Sequence, residues 1–478
     1  MKPYVVAFGP WLPDGADVVF GMPFQYMQTV VPCADVNNVY YSRGAYRSLP
    51  TIATVAGSPV LPSAALGAVT AAYGPGSTAR YVGTSSDLYL WNGSAWTVVS
   101  KAAGAYAGAA HWSMVEFAGC VLAADGVHPL QDATINSGNF ADVATAPIGN
   151  VLGVIGQFLI VGDITSPTAF PYRVQWSGIG DPGNWPVPLT IEAIAAESSY
   201  EDLTQDFGQV MFIGGGPQLG VILQRTGITR AQYVGGDVVF DFLPFERKQG
   251  LIARGAAVQV GAFTHFISDS GFRVTDGSQV NSTGSTQAAA LDKWLLNNLN
   301  LDATAAIRCA YDSSLRVVMF ALPTGVNTLP DTLLLLNTDS GQWTKGQQAL
   351  EFLWTHDNGT QHVADCFDQS HTLSEFTGAP LTGYCETYDM SFLDSLFRDL
   401  PQATPHIVCS DSPTMRITTK RSADDVGKVT GDMRRNGFSR SCTFDPSPSG
   451  LFMRARVSSA NASAINGATL FTTDGTAV

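Results

Sequence analysis

The chain has 478 residues, 45% of them hydrophobic and only 14% charged, with a formal net charge of −14. That is ample material for a core and too little charge for a disordered chain. The acidic balance argues against a tight grip on nucleic-acid phosphates, which needs Lys and Arg.

The length suits two or three ordinary domains, or one large β domain with an appendage. The 48 Gly and 26 Pro residues suit many strands joined by tight turns. From Pro401 onward nine Lys/Arg stand against six Asp/Glu, a surplus of +3, which leaves −17 on the first 400 residues. Such a tail is suited to meet an acidic body on a neighbouring subunit, with Arg434 and Arg435 as the residues to neutralise in a test. The seven Cys are odd in number and widely spaced, without a CxxC, which reads as a reduced chain and not a disulfide framework. The N-terminal MKPYVVAFGPWLPDG has no signal-like apolar region and no membrane-spanning run occurs, so assembly in the cytoplasm is expected.

Residues 1–50 are broken up by Pro3, Pro10, Pro13, Pro23 and Pro32. Their aromatic content predicts an extended arm that lies on the surface or pairs with a distant strand. From about Ala79 a repeating unit appears. Strands are predicted at 79–83, 88–91 and 96–99, with Asn92-Gly93 as a tight hairpin turn. Similar units follow at 115–124, at 158–163 with 172–177, and at 317–321 with 332–337 and 342–344. A last unit runs from 361–366 to 372–376.

The stretch 206–277 is the clearest. Its short runs at 210–213, 221–224, 238–242, 257–260, 264–267 and 272–275 are rich in Val, Ile, Phe and Thr. With Tyr81, Phe117, Leu159, Met211, Thr264, Val317 and His362 as markers, the units recur every 36 to 53 residues. That is the range of a four-stranded propeller blade. The expectation is an all-β fold: a β-propeller of six to eight blades over 51–379, an N-terminal arm over 1–50 and a C-terminal β-rich module over 380–478. A β-sandwich array is the alternative. One helix is predicted at 286–300, with Leu291, Trp294, Leu295 and Leu299 on one face; 392–400 is ambiguous. Strands of the last module are expected at 415–419, 441–444 and 452–457.

Several clusters invite a chemical reading. His356, His362, Cys366 and His371, with Asp365 and Asp368 between, place 362 and 366 on one strand face, but the spacing matches no zinc pattern. A polar hairpin explains them better. Gly214, Gly215 and Gly216 lack the GK[ST] ending of a phosphate loop and read as a blade turn. The segment 268–272 resembles an Asp-box turn without its Ser spacing or Trp. Glu192, Glu197, Glu201, Asp202 and Asp206 could supply paired carboxylates for glycoside hydrolysis, yet they sit in a polar linker. No nucleophile elbow or HExxH occurs. No catalytic, metal or cofactor residue is assigned, and no enzyme activity is expected.

Certain segments carry a family resemblance. YRVQWSGIGDPGNW at 172–185 is the first, and its part WSGIGDPGNW at 176–185 is the most specific. YVGGD at 233–237, GLIA at 250–253, SDSGF at 268–272, ADVNNVYYSRGAYRSLP at 34–50, LLLLNTDSGQWTKG at 333–346 and GLFMRARVSSANASAINGATLF at 450–471 accompany it. Together they resemble the tail nozzle proteins of short-tailed bacteriophages, also called tail hub or packaged-DNA stabilisation proteins. Residues 401–432 show no such likeness.

The resemblance implies a virion structural protein: a homohexameric ring below the portal and adaptor that continues and helps close the DNA channel. Tail fibres, spikes or a needle are possible neighbours. Double-stranded DNA would pass the lumen without tight or specific binding, and a negative lumen would let it slide. The alternative is a carbohydrate-active or carbohydrate-binding propeller at a cell surface.

Overall fold

The computed structural model describes residues 2–15, 18–20, 29–57, 59–236, 238–283, 287–392, 398–422, 424–434, 441–445 and 447–474. Seven four-stranded antiparallel sheets stand around one axis, so the fold is a seven-bladed β-propeller. Blade 1 is built from Gly67–Gly74, Ser77–Gly83, Leu88–Trp91 and Trp96–Val98. Blade 2 has Ser113–Phe117, Cys120–Ala124, Gln131–Thr134 and Ala141–Asp142, and blade 3 has Ile148–Ile155, Phe158–Ser166, Phe170–Trp176 and Ser199–Asp202. Blade 4 comprises Val210–Gly215, Leu219–Gln224, Ile228–Gly235 and Val239–Glu246. Blade 5 comprises Ala257–Val260, Phe263–Ser268, Gly271–Thr275 and Val280–Ser282. Blade 6 holds Arg308–Asp312, Val317–Leu322, Thr332–Asn337 and Trp343–Gln347. Blade 7 holds Phe352–Asp357, His362–Phe367, Leu373–Glu375 and, from the start of the chain, Ala53–Thr54.

The first strands of successive blades lie side by side in a closed ring, blade 7 against blade 1. The seven sequence markers fall one to a blade. Phe117 and Met211 sit on first strands and the other five on second strands, and the uneven spacing comes from long segments between strands, such as 177–198 in blade 3 and 283–307 before blade 6. A blade packs on both faces, so a middle strand can be buried along its whole length: all six residues of VVMFAL and of TLLLLN are buried.

Turn chemistry differs from the expectation at Asn92-Gly93. Only Gly93 has a positive φ, and the loop has four residues. Asn92 Oδ1 accepts from the backbone N–H of Ser94 and Ala95 at 2.9 and 2.8 Å, which closes the loop without a two-residue turn. Asp276 and Asn337 do the same between the third and fourth strands of blades 5 and 6. Ala118-Gly119 and Arg43-Gly44 close two-residue hairpins with both residues left-handed, as such turns require.

Residues of the first 50 and of 380–478, read separately in the sequence, share one large sheet. Lys2–Trp11 runs antiparallel to Ala462–Asp474 and parallel to Thr29–Asn37, which in turn pairs with Gly383–Thr387. The segment 392–400 enters the strand Arg398–Cys409; 393–397 lie outside the described residues. The predicted helix is Ala288–Asn298, with Leu291 and Leu295 buried.

This helix packs near Trp343, which joins the large sheet to blade 6. Trp343 is fully buried, with ring centroids 4.6 Å from Phe272 and 5.5 Å from Phe320. Its Nε1 donates to the Thr283 carbonyl at 3.1 Å. Gln287 accepts from the Trp343 backbone N–H at 3.0 Å and donates to the Trp11 carbonyl. Replacing Trp343 with Ala removes this packing and leaves a large cavity. A loss of about 3–5 kcal/mol is expected, measured by chemical denaturation. Trp343→Phe keeps the ring stack and should lose clearly less; equal losses would remove the argument from packing.

Candidate assembly interface

The segment 176–185, WSGIGDPGNW, leaves the third strand of blade 3, and its two Trp residues anchor it on opposite faces of that blade. Trp176 is buried toward blade 4, with ring centroids 5.2 Å from Phe240 and 5.8 Å from Phe242. Its Nε1 donates to the Glu197 carbonyl at 2.9 Å. Trp185 is buried toward blade 2 among Leu122, Leu130 and Val143, and its Nε1 donates to the Pro182 carbonyl at 2.7 Å. Asp181 Oδ1 takes the Gly183 N–H at 2.9 Å, which sets the turn between them.

A loop held at both ends then projects outward. Val187, Leu189, Ile191 and Ile194 are 72%, 78%, 81% and 62% exposed. Ile179, bonded through its N–H to the Ala196 carbonyl, adjoins them and is 42% exposed. The short helix Ile191–Ala195 is capped by Thr190, and only Ala193 on it is buried. Leu189 has φ +69°, a conformation a bulky side chain adopts only when its surroundings impose it. Five branched apolar side chains thus stand on a braced projection, where a lone soluble subunit would favour polar ones.

Those acids are dispersed. Asp202 forms a bidentate pair with Arg173 at 2.6 and 2.8 Å, Glu197 accepts from the Tyr233 hydroxyl at 3.0 Å, and Glu192 and Asp206 are exposed. Burial raises the Glu201 carboxyl above its usual range.

The His-Cys cluster also separates. His356 is buried, with Nδ1 2.8 Å from Thr70 Oγ1. His362 stands in solvent beside Asp357, His371 bonds Glu351, and the buried Cys366 thiol donates to the Ser374 carbonyl at 3.4 Å. Asp368 Oδ1 caps its own turn by accepting from the Ser370 and Thr372 N–H groups. Among the described residues no group of three His, Cys, Asp or Glu is placed to hold a metal ion.

Gly214 and Gly215 end the first strand of blade 4, and only Gly216 is in the turn. A Cβ on Gly215 would lie 1.6 Å from the Val154 carbonyl oxygen, so these glycines serve inter-blade approach, not phosphate binding. In the segment 268–272, Ser268 Oγ donates to the Gly271 carbonyl, and Asp269 pairs with Arg225 of blade 4 at 2.8 and 3.0 Å.

Much of the basic tail is engaged inside its own module. Arg416 pairs with Asp432, Lys420 and Arg454 with Asp389, and Arg456 with Glu386. Arg434 lies on an exposed strand pairing with Thr414; Arg435 lies outside the described residues.

The fold and this projection define the chain as a seven-bladed β-propeller carrying a second large sheet. No family profile and no curated protein matches it. Among solved structures that match is the computationally designed Ika8 protein, in a crystal structure described as packing No.1 in P63. It is 10% identical, with a TM-score of 0.41, covering 71% of this chain and 95% of the other.

Proposed function

We propose that this chain is a structural subunit of a phage tail, forming a homohexameric nozzle ring below the portal and adaptor that continues the DNA channel. The observation that carries the proposal is the apolar projection at Val187, Leu189, Ile191 and Ile194. It is the continuation of the segment with the most specific family likeness. A closed ring of identical subunits needs a heterologous contact, in which one patch meets a different surface of the next copy. A rigid apolar projection is suited to that, and its burial would offset the exposure it suffers in a single subunit.

The acidic body serves the same reading. A net charge of −14 repels the DNA backbone, so a lumen lined by such subunits lets DNA pass without holding it. The ion pairs inside the last module move the expected contact from the basic tail to the apolar projection.

The test is electron microscopy and mass measurement of the purified chain, alone and with portal and adaptor. Rings that cap the complex are expected. Replacing Val187, Leu189, Ile191 and Ile194 together with Ser should abolish ring formation and leave the far-UV spectrum and melting temperature of the subunit nearly unchanged. A chain that stays monomeric and ignores the portal complex, or rings that survive the four substitutions, would sink the proposal. Saturable sugar binding by the monomer would favour the carbohydrate alternative.

A further inference from the structure

At the end of the ring where the innermost strands begin lies an axial cavity of about 600 Å³, lined by first-strand residues of blades 2, 3, 4, 6 and 7 and by the segments that lead into blades 1 and 5. That size holds a small organic molecule. Its wall is largely apolar, with Met211, Phe212 and Phe352, but two guanidinium groups, Arg254 and Arg308, enter it.

Arg308 is half-buried at the start of the first strand of blade 6. Its Nη1 donates to the carbonyls of Ala305 and Ile307 at 2.6 and 2.8 Å, and its guanidinium lies 4.8 Å from the Phe352 ring centre. Its Nε has no partner, and among the described residues no carboxylate is within ion-pair distance. Glu351, whose field reaches Arg308, is taken by the Ala65 N–H at 2.8 Å and by His371. Burial pulls Arg308 down to about 10, the mark of a cation short of solvation, though it stays charged at neutral pH.

Arg254 pairs with Asp163, which also accepts from Asn150 Nδ2 at 2.8 Å; the Nε of Arg254 has no partner. His111 lies at the same wall, with Nε2 3.1 Å from the Asn150 carbonyl, and burial and Arg254 keep its pKa below the ordinary value. The one carboxylate paired here, Asp163, is taken by Arg254 and leaves Arg308 without a counter-charge, in a chain that is acidic overall. The seat is specific. A Cβ on Gly255 would come within 2.2 Å of the Ile307 carbonyl oxygen and 2.9 Å of Arg308 Nη1, so Arg308 packs directly over the backbone next to Arg254.

We infer that the axial cavity binds a small organic anion, whose carboxylate or phosphate oxygens are held by Arg308 and Arg254 and whose apolar body rests on Met211, Phe212 and Phe352. Planar guanidinium forks suit paired anionic oxygens, and a buried cation without a counter-charge gains most from one.

Calorimetric titration of the full chain with benzoate and with inorganic phosphate tests this. Saturable binding of at least one probe is expected, with Kd in roughly the micromolar to millimolar range. Benzoate alone binding would assign a carboxylate with an apolar body; phosphate alone would assign a phosphate ester. Arg308→Leu and Arg254→Gln should each weaken binding by about tenfold or more. Arg316→Leu, which breaks an exposed pair with Asp339 on blade 6, should leave it unchanged. Melting curves show whether each variant folds. If Arg308→Leu does not, Arg308→Lys keeps the charge, loses the fork, and should still weaken binding. Absence of saturable binding of either probe up to about 10 mM, or binding undiminished by the substitutions at Arg254 and Arg308, would overturn the inference.

Discussion

Deleting residues 1–57 is expected to abolish the soluble fold. The two residues Ala53 and Thr54 supply the fourth strand of blade 7, paired with Glu375 and Ser374. Flanking bonds extend the closure: Val55 N–H to the Leu373 carbonyl at 3.0 Å, Leu373 N–H to the Pro59 carbonyl at 3.0 Å and Gly378 N–H to the Thr51 carbonyl at 2.9 Å. Leu49 is fully buried in the core of blades 6 and 7 with Leu335 and Leu353. The same deletion removes Lys2–Trp11 and Thr29–Asn37 from the middle of the large sheet, which strips one partner each from Gly383–Thr387 and Ala462–Asp474. Four strand edges become exposed at once, the fourth on Met390–Phe392, which loses Val18–Phe20, and each is a template for aggregation. Residues 1–57 added as a separate fragment during refolding should recover part of the soluble protein. A truncated chain that stays soluble with the full-length melting temperature would show that the ring does not depend on this closure.

The second large effect is a pH dependence hidden in the full-length protein and exposed by single substitutions. Between blades 1 and 7, Arg80 Nε lies 2.6 Å from the fully buried Asp365, and Arg80 Nη2 donates to Glu375 at 2.7 Å. His356 Nδ1 is 3.8 Å from Asp365. Asp312 and Asp357 add weaker fields. Burial pushes the Asp365 carboxyl up to about 7, against the pull of Arg80. Burial, helped by Arg80, lowers His356 to about 3.

Each shift has its own sign. Asp365 is raised in the fold, so its contribution is complete below the unfolded value and is lost as pH rises toward 7. His356 is lowered, so its contribution is complete above its unfolded value and is lost as pH falls toward 3. From about pH 4 to pH 6.5 the folded cluster carries its one proton on Asp365, and the unfolded chain carries it on His356. Proton counts match, and the two slopes cancel. His356→Gln removes one of them: stability should then fall by about 2–4 kcal/mol from pH 4 to 7, at roughly 1.4 kcal/mol per unit less the relaxation of a buried site. Asp365→Asn should do the reverse and lose stability toward acid. Denaturation midpoints across this range check both. Profiles for the two variants that run parallel to the parent would remove the coupled pair from consideration.

How far the residues alone could lead is clearest at particular places. Strands such as 317–322 and 332–337 were legible because each blade sheet is covered on both faces, and continuous apolar runs follow. The recurrence at one marker per blade was legible for the same reason. The helix 288–298 declared itself through Leu291 and Leu295. The Asn92 loop was misread because the dipeptide Asn-Gly serves both a two-residue turn and a longer loop closed by the Asn side chain. No sustained run of strand alternation or of helical spacing announces the apolar projection at 187–194, although Val, Leu and two Ile stand in eight residues.

What the chain determined by itself was therefore local: short strands, their turns, an all-β class and a repeat length, since those depend on side-chain periodicity and φ preference. The tertiary structure decided everything that joins distant residues. Two residues at 53–54 have no periodicity to read, and only the open edge of Leu373–Glu375 makes them a strand. The two termini became one sheet because each offers the other unpaired backbone groups. Arg254 and Arg308, 54 positions apart, face one cavity because ring closure turns the starts of all seven inner strands toward a common axis.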